Sequence, residues 1–252
     1  MNNPISIVEN CDCMEYMKTI PDKFFDLACV DPPFGINAPN MQMGSAPKRK
    51  GNGQYPGVST SVKLKGRLNS GGGHMKNSLL VNDLCEWDKV KPTSEYFKEL
   101  FRISKNQIIK GGNYFTNNLP ESRCWICWDK LQPWENFSQI EMLWTSYDIP
   151  AKLFRMSNTG GANHKQKIHP TEAPQELYFY CFNLAKLKTG AKIFDSHLGS
   201  GNSRIVAYKM GFDFYGTEID KDYFNDSCKA FDREINGIIQ TKSEIITQLK
   251  MF

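Results

Sequence analysis

The chain has 252 residues, 40% hydrophobic and 23% charged, which suits one α/β domain with insertions or two small domains able to bury a core. No stretch approaches the roughly 18 apolar residues of a transmembrane helix, and the N-terminus, MNNPISIVEN, lacks the basic and apolar regions of a secretory signal. Eight cysteines are too sparse for a disulfide scaffold, and several sit in apolar strand-like runs, so they read as reduced thiols in a cytoplasm-like compartment.

In chain order, residues 6–10 (SIVEN) read as a short strand, 13–19 as a short helix and 25–30 (FDLACV) as a buried strand. After Asp31 the texture changes, with nine of the nineteen glycines between Gly35 and Gly73. A structureless stretch of this length is usually functional or disordered. A helix is predicted from Pro92 through Ile103 (SEYFKELFRI), then a strand at 107–110 ending in Gly111–Gly112. Two more strands are predicted at 124–128 (CWICW) and 140–146 (IEMLWTS). A long helix is expected over 171–187, a strand at 191–195, a helix at 203–210, a strand at 212–218 and a helix at 221–235. The tail after Gly237 reads as a further short helix. Strands alternating with helices imply a mainly parallel sheet covered on both faces.

The net charge of +4 is unevenly spread. Residues 32–82 contain no Asp or Glu and seven cations: Lys48, Arg49, Lys50, Lys63, Lys65, Arg67 and Lys76. Residues 149–171 add Lys152, Arg155, Lys165 and Lys167, again with no acid. An acidic body with two basic patches suggests a polyanionic partner, the alternative being a solvated loop without acids.

Four motifs carry possible chemistry. Asp31-Pro32-Pro33-Phe34 leaves the strand 25–30, and in open α/β sheets ligands bind beyond the carboxyl ends of strands. Two prolines fix φ and remove two N–H donors, so the turn displays carbonyls with no internal partner. An acid, bare carbonyls and an aromatic ring together suit a planar ligand carrying an NH₂ group; a turn that merely leaves the strand is the alternative. The second motif, Asp195-Ser196-His197-Leu198-Gly199-Ser200-Gly201-Asn202, is a glycine-rich turn between strand and helix, where backbone approaches a ligand closely. Glu218 ends the next strand, where an acid binds ribose hydroxyls in nucleoside-binding folds. A full dinucleotide fingerprint would need glycine or alanine where Arg204 stands.

The third motif is Lys167-Ile168-His169-Pro170-Thr171, where Thr171 either simply caps the long helix or is a cap that also faces a ligand. The fourth is Asn10-Cys11-Asp12-Cys13, whose Asp12 either caps the next helix or accepts a bond from a ligand amine. Cys124-x-x-Cys127 has no second pair at zinc spacing, and Trp125 and Ile126 read as strand core, so no metal is expected.

Together and in this order, the motifs resemble the amino-group DNA methyltransferases, which methylate N6 of adenine or N4 of cytosine using S-adenosylmethionine. Gly216-Thr217-Glu218, CWICWDK (124–130) and IEMLWTS add to the likeness. With the D-P-P-F motif ahead of the glycine turn, the chain resembles the circularly permuted beta class. The resemblance covers most residues outside 36–90. It implies a Rossmann-like fold with a mainly parallel seven-stranded sheet, formed by residues 1–35 and 91–252. Residues 36–90 become a basic, glycine-rich insertion that contacts DNA and is partly disordered.

The resemblance also implies roles. Asp31 and the Pro32 carbonyl accept hydrogen bonds from the target amine, Pro33 stiffens the turn, and Phe34 stacks on a base flipped from the duplex. Asp12, with Cys13 beside it, takes the cofactor's adenine amine, and Glu218 its ribose. The 195–203 turn (Asp195, His197, Gly199, Ser200, Gly201, Asn202), with His169 and Thr171, holds the methionine portion. Phosphates fall to Lys48, Arg49, Lys50, Lys63, Lys65, Arg67, Lys152, Arg155 and Lys165. The family usually has Pro-Phe where Ser196-His197 stand, and Thr where Asn202 stands. Asp31 in place of Ser favours adenine.

The implied partner is double-stranded DNA in a bacterial or phage cytoplasm, with no membrane. A homodimer and a cognate restriction endonuclease, as in restriction-modification, stay open. Rival readings fit less well. A nucleobase deaminase needs H-x-E and P-C-x-x-C, which this chain lacks. A nucleotide-dependent oxidoreductase leaves D-P-P-F unexplained, and a DNA-binding protein without activity would gain nothing from keeping it. A protein or RNA methyltransferase would share the turn, but the basic loop argues for nucleic acid.

Overall fold

A computed structural model describes residues 3–36, 88–131, 138–157, 168–169, 171–240 and 245–247. Strand β1 (Ser6–Glu9) leads into helix α1 (Cys13–Lys18), and β2 (Phe25–Val30) follows. Helix α2 (Ser94–Ile103) buries Tyr96, Phe97, Leu100 and Ile103, a spacing that lines one helical face. Then come β3 (Ser104–Lys110), β4 (Trp125–Asp129), β5 (Ile140–Thr145) and β6 (Lys152–Arg155). Helix α3 (Gln175–Ala185), β7 (Lys192–Asp195), α4 (Asn202–Lys209), β8 (Asp213–Thr217) and α5 (Lys221–Phe231) complete the body.

The sheet order is β1-β8-β7-β2-β3-β5-β4-β6. Neighbours pair in parallel except at β5, which runs antiparallel to β3 and β4. Buried on both sides, β2 is apolar almost throughout, as central parallel strands are. On one face Leu27, Cys29, Ile108, Ile193 and Phe214 pack with Leu177, Cys181 and Phe182 of α3 and Val206 and Ala207 of α4. On the other, Ala28, Val30, Ile109 and Phe194 pack with Met17 of α1 and Tyr96, Phe97 and Leu100 of α2.

Connectivity places a crevice. From β2 the chain crosses to β3, on one side, and from β7 it crosses to β8, on the other. The connections diverge between β2 and β7, and at such a switch point the loops part to leave room for a ligand.

Several expectations change. The sheet has eight strands rather than seven, because residues 152–155 form the edge strand β6. Four residues of alternating exposure are too brief a signal within a basic stretch. The long helix begins at Gln175, with Pro174 at its N-cap, so Thr171 does not cap it. A residue before proline is pushed out of the helical region, so Pro174 bars a helix starting ahead of it. The expected tail helix is instead an antiparallel ribbon of β9 (Ile238–Gln240) and β10 (Ile245–Thr247); its β-branched Ile pairs favour strand. Before it, α5 runs into a π turn at Asp232–Asn236, closed by Gly237 at φ 65°. Most of the basic insertion, residues 37–87, lies outside the described residues.

Candidate active site

The four adjacent parallel strands β1, β8, β7 and β2 end on one side of the sheet, and each delivers one motif. Asp12 follows β1, Glu218 follows β8, Asp195 ends β7 and Asp31 follows β2. Side-chain and backbone hydrogen bonds tie these ends together. Asn10 Nδ2 donates to the carbonyls of Glu218 (2.7 Å) and Ile219 (3.1 Å), and Leu198 N donates to Thr217 O (2.9 Å).

At the β2 end, Asp31 Oδ2 lies 2.5 Å from Lys110 Nζ, whose side chain is 6% exposed. Lys110 also sits 3.0 Å from Glu141 Oε1, poorly aligned for a hydrogen bond. Glu141 Oε2 meets Lys130 Nζ at 2.5 Å. Burial pulls Lys110 down, but Asp31 and Glu141 more than reverse it, so the ammonium is held protonated. Burial pushes Asp31 above its ordinary value, and Lys110 opposes this. Burial also pushes Glu141 up, but Lys110 and Lys130 outweigh it and the carboxyl falls below its ordinary value.

The turn after Asp31 is pinned from both sides. Asp88, buried, accepts hydrogen bonds from Phe34 N (2.6 Å) and Gly35 N (2.9 Å). Phe34 is half-buried and stacks on Tyr114 with centroids 4.9 Å apart. Gly111 makes this possible, since a Cβ there would lie 2.2 Å from Phe34 Cε1.

At the glycine turn, Gly201 sits at φ +76° and Gly199 at φ +52°, a region where glycine is unpenalised. Glu218 accepts from Gly199 N (2.8 Å) through Oε2 and from Asp220 N (3.0 Å) through Oε1. Asp12 caps α1, its Oδ1 accepting from Met14 N (2.7 Å) and Glu15 N (3.3 Å). The neighbouring Cys13 thiol is pushed up to about 12, chiefly by burial, and stays protonated. Thr171 Oγ1 lies 3.1 Å from His169 Nδ1, and the His169 ring packs on Tyr223 with centroids 4.4 Å apart. Asn202 Nδ2 donates to Glu172 Oε1 (2.9 Å) and Ala173 O (2.8 Å), which folds this segment over the start of α4.

His197 is neutral, since burial lowers it to about 4. Its Nδ1 lies 2.8 Å from Ser196 Oγ, which lies 2.7 Å from the Tyr96 hydroxyl. Ser200 is buried in the turn. Arg204, in place of a glycine, bonds Ser6 Oγ (2.9 Å) and lies 3.8 Å over the Phe231 ring, joining α4 to β1 and α5.

Asp195 is buried and accepts from Ser203 Oγ (2.6 Å) and His197 N (3.1 Å), and burial pushes it up to about 7. A carboxyl raised in the folded state stabilises while protonated. That contribution is complete below the unfolded value near 4 and is lost as pH rises through 7. Relative to wild type, Asp195→Asn is therefore expected to gain stability between pH 5.5 and 8, by about 2 kcal/mol. Denaturant unfolding of both proteins across that range checks it; a constant difference would contradict the assignment.

Lys110, Glu141, Lys130 and Asp88 were not expected at the site. Each is far in sequence from Asp31; strand pairing brings in Lys110, Glu141 and Lys130, and hydrogen bonds from Phe34 N and Gly35 N hold Asp88. Lys152 and Arg155 lie on β6, at the far edge of the sheet, where Arg155 pairs with Asp129 at 3.4 Å. Lys48, Arg49, Lys50, Lys63, Lys65, Arg67 and Lys165 lie outside the described residues. Among the described residues no cluster of His, Cys, Asp or Glu is placed to hold a metal, and no helix is long and apolar enough to cross a membrane.

The chain is 24% identical over 155 residues to the type II methyltransferase M2.DpnII of Streptococcus pneumoniae, covering 62% of this chain and 52% of that one. It is 25% identical to M.HinfI of Haemophilus influenzae, covering 93% and 70%. The chain thus spans about half the length of the first of these relatives. In fold it is similar to PvuII DNA methyltransferase (cytosine-N4-specific), with TM-score 0.55, 12% identity and 94% of each chain covered. It is likewise similar to TTHA0409 of Thermus thermophilus, solved with S-adenosyl-L-methionine, with TM-score 0.52, 14% identity and 92% and 96% covered. The family model N6_N4_Mtase, DNA methylase, matches residues 104–229, half of the sequence. The chain belongs to the N6/N4 DNA methylase family.

Proposed function

We propose that this protein is an S-adenosylmethionine-dependent DNA methyltransferase that methylates N6 of adenine in duplex DNA. The observation that carries this reading is the placement of Asp31, at the switch-point crevice beside the glycine turn and Glu218. The family membership and the cofactor named for TTHA0409 support it. The motif order supports the permuted beta class.

The residues fit the cofactor. The Glu218 carboxylate accepts one N–H on each oxygen, and a carboxylate has about four lone-pair sites. Two sites remain for vicinal ribose hydroxyls. Asp12 caps α1 through Oδ1, leaving Oδ2 for an adenine amine. Gly199, Ser200 and Gly201, with His169, Thr171 and His197, would line the methionine portion.

When bound, S-adenosylmethionine supplies a sulfonium methyl group, whose carbon–sulfur bond breaks as the nitrogen–carbon bond forms. An exocyclic amine is a poor nucleophile because its lone pair is delocalised into the ring. Asp31 and the Pro32 carbonyl each accept one N–H, favouring a pyramidal nitrogen with a localised lone pair. The Asp31 charge then faces the positive charge that develops on nitrogen. After methylation the cationic nitrogen gives its surplus proton to solvent water, so Asp31 orients the amine without first deprotonating it. A flipped base would meet the stacked Phe34–Tyr114 pair rather than a single ring.

N4-methylation of cytosine is the second reading, favoured by the fold likeness to the cytosine-N4-specific PvuII enzyme. Asp31, rather than Ser, weighs toward adenine. Mixed-sequence duplex DNA methylated by the protein and digested to nucleosides is expected to yield N6-methyladenine. N4-methylcytosine alone would overturn the base while leaving the reaction class. Glu218→Ala is expected to weaken cofactor binding by about 1–3 kcal/mol. Unchanged affinity by calorimetry would remove Glu218 from the ribose.

A further inference from the structure

Asp31 begins a row of four alternating charges on four neighbouring strands. Asp31 follows β2, Lys110 ends β3, Glu141 is near the start of β5 and Lys130 follows β4. Registration across the sheet explains the row. Val30 faces Ile109, Lys110 faces Leu143, and Asp129 faces Ile140. Side-chain exposures are 21%, 6%, 9% and 16% along the row. Trp128 lies beneath both lysines, 5.9 Å from Lys110 and 5.3 Å from Lys130. Val30, Ile108, Leu143 and Leu177 line the cavity next to Asp31 and Lys110, which measures about 10 Å³, room for no more than one water.

Stability alone gives no reason for such a row. Buried ion pairs can often be replaced by well-packed apolar groups at no cost. Here the row instead ends on the carboxylate that faces the crevice, as expected where charges tune a reactive group.

We propose that Lys110 is a positioning residue for Asp31, with Glu141 and Lys130 holding Lys110 in place. The ammonium fixes Oδ2, so that Oδ1 faces the target amine in one orientation. This rests on the reading of Asp31 as the amine's acceptor. Lys110 also makes Asp31 a weaker base, which suits an oxygen that orients an N–H without removing the proton. An unpaired ammonium there would oppose the charge developing on the amine. Glu141 cancels it, and the four charges sum to zero.

The other titratable groups facing Asp31 are Asp195 from β7, Tyr96 from α2, Tyr178 from α3 and Cys29 from its own strand. Tyr96 and Tyr178 are raised chiefly by burial, and Cys29 by its bond with Cys181, so all three stay neutral through pH 9. Asp195 feels the Asp31 charge and titrates within this range, so the variants are compared in an Asp195→Asn background, where that titration is absent.

The test is the single-turnover rate of methyl transfer to duplex DNA between pH 5 and 9. Loss of Lys110 removes the cation that keeps Asp31 ionised. Lys110→Met is therefore expected to move the acidic limb of the profile up by at least about one pH unit. The rate is expected to fall about tenfold at pH 7 and to recover towards pH 9. Glu141→Gln, which removes a negative neighbour, moves the limb the other way. Should Lys110→Met fail to bind cofactor by calorimetry, as a misfolded protein would, Glu141→Gln decides alone. A slower variant with an unmoved limb overturns the proposal, because a structural role lowers the rate equally at every pH. A wild-type protein with no transfer would instead sink the methyltransferase reading on which it rests.

Discussion

Replacing Asp31 with alanine is expected to lower kcat for methyl transfer by at least about 10²–10³, the usual cost of removing one group aimed at developing charge. Cofactor affinity should change little, because Glu218, Asp12 and the glycine turn belong to other strands. Lys110 keeps Glu141 at 3.0 Å in the variant, so it is not left as an isolated buried charge. The effect should therefore appear in the chemical step and not in folding. Single-turnover kinetics with calorimetry separates these. A variant that methylates DNA at the wild-type rate would show that the Asp31-Pro32-Pro33-Phe34 turn is not where the amine binds.

Gly111→Ala is expected to be the most damaging small substitution near the site. At φ +67° an alanine is strained, and its Cβ would lie 2.2 Å from the Phe34 ring. The ring must leave Tyr114 or the β3 end must shift. Together these should cost roughly 2–4 kcal/mol, with loss of transfer. Gly190→Ala is the control: at φ +79° it has the same backbone strain, with nothing within 4 Å of the new Cβ. It should cost about 1–2 kcal/mol. Equal losses by denaturant unfolding would mean that Phe34 is not held by Gly111.

Much of this arrangement was legible in the sequence, for identifiable reasons. FDLACV reads as a buried parallel strand because it is apolar without alternation, and β2 spans those residues. SEYFKELFRI has helical spacing, and α2 ends at Ile103 as expected but starts at Ser94 rather than Pro92. Asp31, Asp195 and Glu218 could be placed on one sheet edge because each closes an apolar run. Lys110 and Glu141 gave no local signal. A lysine at a strand end ordinarily reaches solvent, and only strand pairing turns it towards Asp31. Asp88 was hidden by its position at the end of a stretch read as basic and loose. Thr171 looked like a cap because its residue type suits one, but Pro174 sets the start of α3.

On the proposed reading, the four strand ends form one site in which a methyl group passes from S-adenosylmethionine to a DNA amine. The most direct measurement uses methyl-labelled S-adenosylmethionine and mixed-sequence duplex DNA, counting label in the recovered DNA. Label is expected in the DNA, dependent on the intact protein. A protein that binds the cofactor yet leaves every duplex unlabelled would contradict it.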